Sequence, residues 1–210
     1  MLVNFDYDGV LVDSLERLTV LAAQAQREVG SGRTPTAEDF RLLQNLTFAG
    51  LAERIGVNES RVEDFCEAAL HLQEMDPTLP PLIEGAAEMI RSVSAYATVT
   101  VISSSSRTEI RKVLDGAGAA ECVQRIFDGA DRRPKSDKIR EAMALFAAPP
   151  SSTFMVGDSR SDIVQGKLAG VRTVAVAWGY QPRDRLALEE PDFMVESIAQ
   201  LVGLLSDERG

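Results

Sequence analysis

Leu2-Val3-Asn4-Phe5-Asp6-Tyr7-Asp8-Gly9 decides how this chain is read. A short, mainly apolar run breaks abruptly into two carboxylates one residue apart, followed by a glycine. The run suits a buried strand of a parallel sheet, and the acidic pair suits the loop that it empties into. Gly9 lets the chain turn sharply there, because glycine accepts positive φ without steric penalty.

Outward from this stretch the pattern is first helical. Asp13 and Glu16 form a capping pair for a helix in which Leu15, Leu18, Leu21 and Ala22 recur at helical spacing up to Gly30 and Gly32. Thr36 with Asp39 begins a second helix, and Asn58, ahead of Val62, Phe65, Cys66, Ala69 and Leu72, a third. Pro77, Pro80 and Pro81 close the region, and a short helix over 84–95 follows. Strands then alternate with helices. Val99–Ile102 runs into Ser103-Ser104-Ser105-Ser106 and a helix from Arg107 to Leu114. An apolar piece at Ile126-Phe127 precedes a helix over Asp137–Phe146. Thr153–Val156 ends at Gly157-Asp158, a helix spans 161–169, Val171–Ala177 is the next strand, and Asp192–Val195 is a short last one. Such alternation predicts an α/β fold, a parallel sheet covered on both faces, with the early helical block inserted between its first and second strands.

Composition narrows the function. The 210 residues, 45% of them hydrophobic, suffice for one domain with an insert. A net charge of −10 without a basic patch argues against nucleic acid as a partner. No run of eighteen apolar residues suggests a membrane span, and the N-terminus reads as no signal segment, so a cytoplasmic protein without membrane contact is expected. Cys66 and Cys122 lack metal-ligand spacing, and the single His71 falls in a helical run, which gives zinc little support.

In an open parallel sheet, ligands bind beyond the carboxyl ends of the strands. Asp6 and Asp8, Ser103–Ser106, Lys135, and Asp158 with Asp162 all fall there. Clustered carboxylates raise one another's pKa unless a cation intervenes, and a hard ion with oxygen ligands, magnesium, is the simplest occupant. Two unit charges about 4 Å apart interact by roughly 4 kcal/mol at an effective dielectric near 20, so a carboxylate approaching a phosphate dianion needs that cation. With Lys135 and serine hydroxyls on the phosphoryl oxygens, one carboxylate can attack phosphorus while Asp8 moves the protons.

FDYDGVLVDS, VISSSS, KSDKI and VGDSRSD, in this order and spacing, resemble the four motifs of the haloacid dehalogenase superfamily, in its phosphatase branch. The resemblance implies a Rossmann-like core over 1–13 and 80–210 with an all-helical cap over 14–79 that selects the substrate. It implies Asp6 as nucleophile and Asp8 as general acid and base. Magnesium would be held by Asp6, the backbone carbonyl of Asp8, and Asp158, with Gly9 and Asp162 in support. Phosphoryl oxygens would be held by Lys135, or its neighbour Lys138, and by the serine run; counting back from Arg107 favours Ser104, with Ser103 next, and Ser105 is a further candidate. The implied substrate is a small phosphorylated metabolite such as phosphoglycolate or a sugar phosphate.

Within the superfamily, a halide leaving group would leave Asp8 with nothing to protonate, and a phosphonate hydrolase would want a cap lysine, which 14–79 lacks. A sugar phosphomutase would use the same core. From another class, a receiver-like signalling module also gathers acidic residues, a hydroxyl and a lysine at a sheet's edge. The paired aspartates on one strand and the helical insert oppose it. Arg33, Arg41, Arg54 and Arg61 are candidates for a second anionic group of the substrate, and Gln44, Asn45, Thr47 and Phe48 for the site entrance.

Overall fold

A computed structural model describes residues 1–43 and 46–209. In chain order the elements are β1 (Leu2–Phe5), α1 (Leu15–Val29), α2 (Ala37–Arg41), α3 (Phe48–Ile55), α4 (Val62–Met75), α5 (Ala86–Ser94), β2 (Thr98–Ile102), α6 (Arg107–Gly116), β3 (Arg125–Phe127), α7 (Lys135–Leu145), β4 (Thr153–Gly157), α8 (Arg160–Ala169), β5 (Arg172–Val176), α9 (Arg183–Ala187), β6 (Phe193–Val195) and α10 (Ile198–Asp207), with short 3-10 turns between some of them. The chain divides into two compact units, Met1–Asp13 with Pro81–Gly210, and Ser14–Pro80. None of the described helices is long and apolar enough to cross a membrane.

The first unit is a six-stranded sheet in the order β3-β2-β1-β4-β5-β6, every neighbouring pair parallel. This is the expected α/β, Rossmann-like sheet. β1 lies in the middle because its side chains are buried on both faces: Leu2, Val3 and Phe5 are fully covered. Asn4, the one polar residue, is satisfied there by donating to the Phe154 carbonyl (2.9 Å) and accepting from Thr100 Oγ1 (2.7 Å). From β1 the strand order runs outward through β2 and β3 on one side and begins again at β4 on the other. That reversal is the switch point at which an open sheet forms its ligand crevice. The covering core joins Val99, Val101, Phe154, Val156 and Val174 to Met89, Ile90 and Val93 of α5 and Leu201 and Leu205 of α10. α9 and α10 were not foreseen; Ser197, accepting from the Gln200 N–H, caps α10 in an ordinary way.

The chain leaves and re-enters this unit along one short seam. The Ile83 N–H donates to the Leu11 carbonyl and the Asp13 N–H to the Pro81 carbonyl, both at 2.9 Å. The expected Asp13–Glu16 cap does not form. Ser14 is the N-cap residue of α1, without a side-chain capping bond, and the Asp13 N–H that a reciprocal cap with Glu16 would use donates to the seam instead.

The second unit is helical. Thr36 and Asp39 do form a reciprocal capping box, but the helix they open ends at Arg41. A separate helix, α3, starts after Thr47, whose hydroxyl accepts from the Gly50 N–H (3.1 Å), so Thr47 is a cap and Phe48 a helix residue. Gln44 and Asn45 lie outside the described residues. Asn58 caps a 3-10 turn over Glu59–Arg61 that leads into α4. α1 and α4 pack together, tied by Arg17 Nε to Asp76 at 2.8 Å. Asp39 accepts from Arg33, Arg54 Nε (3.0 Å) and Thr36; the Arg33 guanidinium above all, with the Thr36 hydroxyl and N–H, holds its carboxyl below the ordinary carboxylate range. Of the four candidate arginines, two therefore serve Asp39, while Arg41 pairs with Glu38 and Arg61 with Asp64.

Candidate active site

Asp6 is the first residue past β1, and its N–H still donates to the Val156 carbonyl (2.9 Å), extending the β1–β4 pairing into the crevice. Its carboxylate is buried. One oxygen accepts from the Tyr7 N–H (2.8 Å), and the other lies 2.8 Å from Lys135 Nζ. Lys135 opens α7 and reaches Asp162 Oδ1 as well, at 2.6 Å. Asp162, in the first turn of α8, is fixed by a capping box: the Ser159 hydroxyl and N–H both donate to its Oδ2. Asp158 follows β4 and is fully buried; its Oδ2 accepts from the Tyr180 N–H (2.6 Å), and its Oδ1 meets no hydrogen-bond partner among the described residues.

One oxygen from each of Asp6, Asp158 and Asp162 lies within 4.8 Å of the others. Burial, aided by Asp162, pushes the Asp6 carboxyl well up despite the opposing Lys135 ammonium. Burial and Asp162 likewise push Asp158 up, to about 7. Burial alone would depress Lys135, but the Asp162 and Asp6 carboxylates outweigh it and hold its ammonium above the ordinary lysine range. The Lys135 ammonium thus faces a surplus of buried carboxylates. An orphaned oxygen among hard donors and that excess of negative charge fit a small divalent cation.

Glycines make this packing possible. Gly9 has φ +75°, and a Cβ there would run into the Asp158 carboxylate. Besides turning the chain, Gly9 therefore lets the first loop lie against Asp158. Gly179 does the same from the loop after β5. Gly179, Tyr180 and Ser159 were missed by sequence reasoning; a glycine just past a strand and the Ser159-x-x-Asp162 capping spacing were the available signals.

Asp8 is half-buried, and its Oδ2 accepts from Ser105 Oγ at 2.6 Å, with Ser103 Oγ at 3.4 Å. Ser103 is buried directly after β2, whereas Ser104 is exposed. The hydroxyls that the structure brings to Asp8 are thus those of Ser103 and Ser105, while Ser104, expected at a phosphoryl oxygen, stands exposed between them. Ser106 caps α6 through the Glu109 N–H. Lys138 is buried one turn along α7, donating to the Asp128 carbonyl (2.9 Å), so of the two lysines only Lys135 reaches the carboxylates. His71 lies exposed on α4.

Residues 3–176 match the family model described as haloacid dehalogenase-like hydrolase. The chain belongs to this family. Among its curated relatives, a chain named phosphoglycolate phosphatase from Vibrio vulnificus is 26% identical over 217 residues, covering 97% of this chain and 95% of its own. Pyrophosphatase PpaX from Anoxybacillus flavithermus is 41% identical, but over 85 residues, 40% of each chain. A structure titled predicted phosphatase from Clostridium acetobutylicum superposes with a TM-score of 0.86 at 17% identity over 98% of each chain. At that identity it speaks for the haloacid dehalogenase-like fold alone.

Proposed function

We propose that this haloacid dehalogenase-like phosphatase cleaves a small phosphate monoester by moving its phosphoryl group first to Asp6 and then to water. The observation that carries the reading is the Asp6 carboxylate: buried at the switch point, bound at one oxygen by the Tyr7 N–H and at the other by Lys135. Such fixed contacts hold a nucleophile in one orientation.

In the first step an Asp6 oxygen bonds to phosphorus as the ester P–O bond breaks, and Asp8 gives a proton to the leaving oxygen. In the second, Asp8 takes a proton from water, the water oxygen bonds to phosphorus, and the Asp6–phosphorus bond breaks, releasing phosphate and restoring the carboxylate. Ser105, and more weakly Ser103, aim Asp8 through their hydroxyls. Lys135 and the serine loop hold the phosphoryl oxygens. Asp6, the Asp8 backbone carbonyl and Asp158 would hold magnesium, with Asp162 in support, and the bound ion supplies the positive charge that lets a carboxylate approach a phosphate dianion. The helical unit is assigned the choice of ester. A phosphorylated metabolite as substrate goes with a cytoplasmic location, which is part of the proposal.

The test is phosphate release from phosphoglycolate, sugar phosphates, pyrophosphate and para-nitrophenyl phosphate, with magnesium and with EDTA. Release that EDTA abolishes and magnesium restores is expected. Release indifferent to both would refute the metal assignment, and phosphoryl transfer between sugar positions without net release would make the enzyme a mutase.

A further inference from the structure

Lys138 is a charged group for which the chemistry above has no use. Its side chain is 4% exposed, and its ammonium is spent on a backbone oxygen, Asp128 C=O, at 2.9 Å. Burying an ammonium is unfavourable unless it is hydrogen-bonded or paired, and the hydrogen bond that this one makes is to a turn.

The Asp128 turn follows β3 and backs directly onto the serine loop. The Gly129 N–H donates to the Ser105 carbonyl (3.0 Å), and the Ser103 N–H to the Phe127 carbonyl (2.9 Å). A Cβ on Gly129 would collide with the Ser104 carbonyl, so the two loops touch backbone to backbone. The Asp128 side chain pins the turn from the other side, accepting from Arg107 Nε (2.7 Å) and the Ala130 N–H (3.0 Å). From Ser105 the path continues through Oγ to Asp8 Oδ2 at 2.6 Å.

We infer that Lys138 is a positioning residue for Asp8, acting through the Asp128–Gly129 turn and the serine loop. The inference rests on the reading of Asp8 as general acid. It separates Lys138 from Lys135, three residues earlier on the same helix: Lys135 acts on the phosphoryl group and its nucleophile, Lys138 on the arm that moves the proton.

A general acid matters most when the leaving group is poor, which gives a readout that loosened packing alone would not move. With magnesium present, kcat/KM is measured on an alkyl phosphate ester and on para-nitrophenyl phosphate, whose leaving group departs without protonation. Lys138→Met keeps the hydrocarbon stem and removes the donor. It should lower kcat/KM on the alkyl ester by about tenfold or more, and on the nitrophenyl ester by less than about threefold. Gly129→Ala, which forces the turn and the serine loop apart, should show the same selectivity by an independent route. Asp8→Asn is the control and must discriminate between the two esters more strongly than either variant. Equal losses on both esters, or none, in folded Lys138→Met and Gly129→Ala proteins would overturn the inference while Asp8→Asn still discriminates. Failure of Asp8→Asn to discriminate would instead overturn the role of Asp8, and the inference with it.

Discussion

Asp158→Asn should make the metal-free protein more stable while destroying its response to magnesium. The Asp158 carboxyl is fully buried, and burial with Asp162 nearby pushes it from an ordinary 3.8 to about 7. A rise of about three units corresponds to about 4 kcal/mol of penalty for carrying the charged form in the fold. Coulomb's law gives a similar scale: one like-charged pair within 4.8 Å of each other repels by at least about 3 kcal/mol at an effective dielectric near 20. The folded-state pKa of this acid is raised, so the penalty is absent below about pH 4, grows as pH rises, and is complete above about 7. Asparagine is neutral throughout, keeps an oxygen for the Tyr180 N–H, and turns its amide toward the neighbouring carboxylates. Urea denaturation in EDTA at pH 8 should therefore find the variant more stable, by up to about 4 kcal/mol, and the gap should shrink below about 1 kcal/mol near pH 4. Magnesium at pH 8 should raise the denaturation midpoint of the wild type and leave the variant unmoved. A variant less stable than the wild type in EDTA at pH 8, or a gap that ignores pH, would refute the reasoning.

Asp6→Asn should abolish turnover and leave the far-ultraviolet circular dichroism unchanged; activity within about tenfold of wild type would remove Asp6 as nucleophile. Lys135→Met strips two buried carboxylates of their cation and should cost about 3 kcal/mol in urea titrations without metal, besides raising KM for any phosphate ester. Asp39→Asn in the helical unit should lower stability by about 2 kcal/mol at neutral pH. Because the folded state holds Asp39 below its ordinary range, that contribution is present above about pH 4 and lost below it, so the melting difference between the two proteins should close on acidification.

The sheet was legible because each of its strands is short, apolar and bounded by turn chemistry, and because buried parallel strands read as continuous runs. Asp6 and Asp158 were legible as candidates for a related reason: a carboxylate at the end of an apolar run is conspicuous, and Asp8 and Asp162 follow them within the same loops. The partners that hold them were not. Tyr180 donates to Asp158 across 22 positions of chain, and only the β4–β5 pairing brings the two loops together. Which serines of the run turn inward was not legible either: the turn after β2 buries Ser103 and Ser105 and exposes Ser104, a matter of backbone direction that spacing does not carry. Lys135 and Lys138 are likewise indistinguishable by composition. One sits at the first position of α7 facing the crevice, the other a turn later facing the β3 loop. In the helical unit the Thr36–Asp39 box is legible because it is local, while the separate start of α3 at Thr47, a residue expected at the site entrance, shows only in the structure.

The central claim is that Asp6 carries the phosphoryl group. Acid quenching during turnover of radiolabelled para-nitrophenyl phosphate, whose leaving group needs no proton from Asp8, followed by peptide mapping, tests it most directly. Label on the peptide that contains Asp6, enriched in Asp8→Asn and absent from Asp6→Asn, is the predicted result. Turnover that releases labelled phosphate without label ever appearing on the chain, in the wild type or in Asp8→Asn, would contradict it.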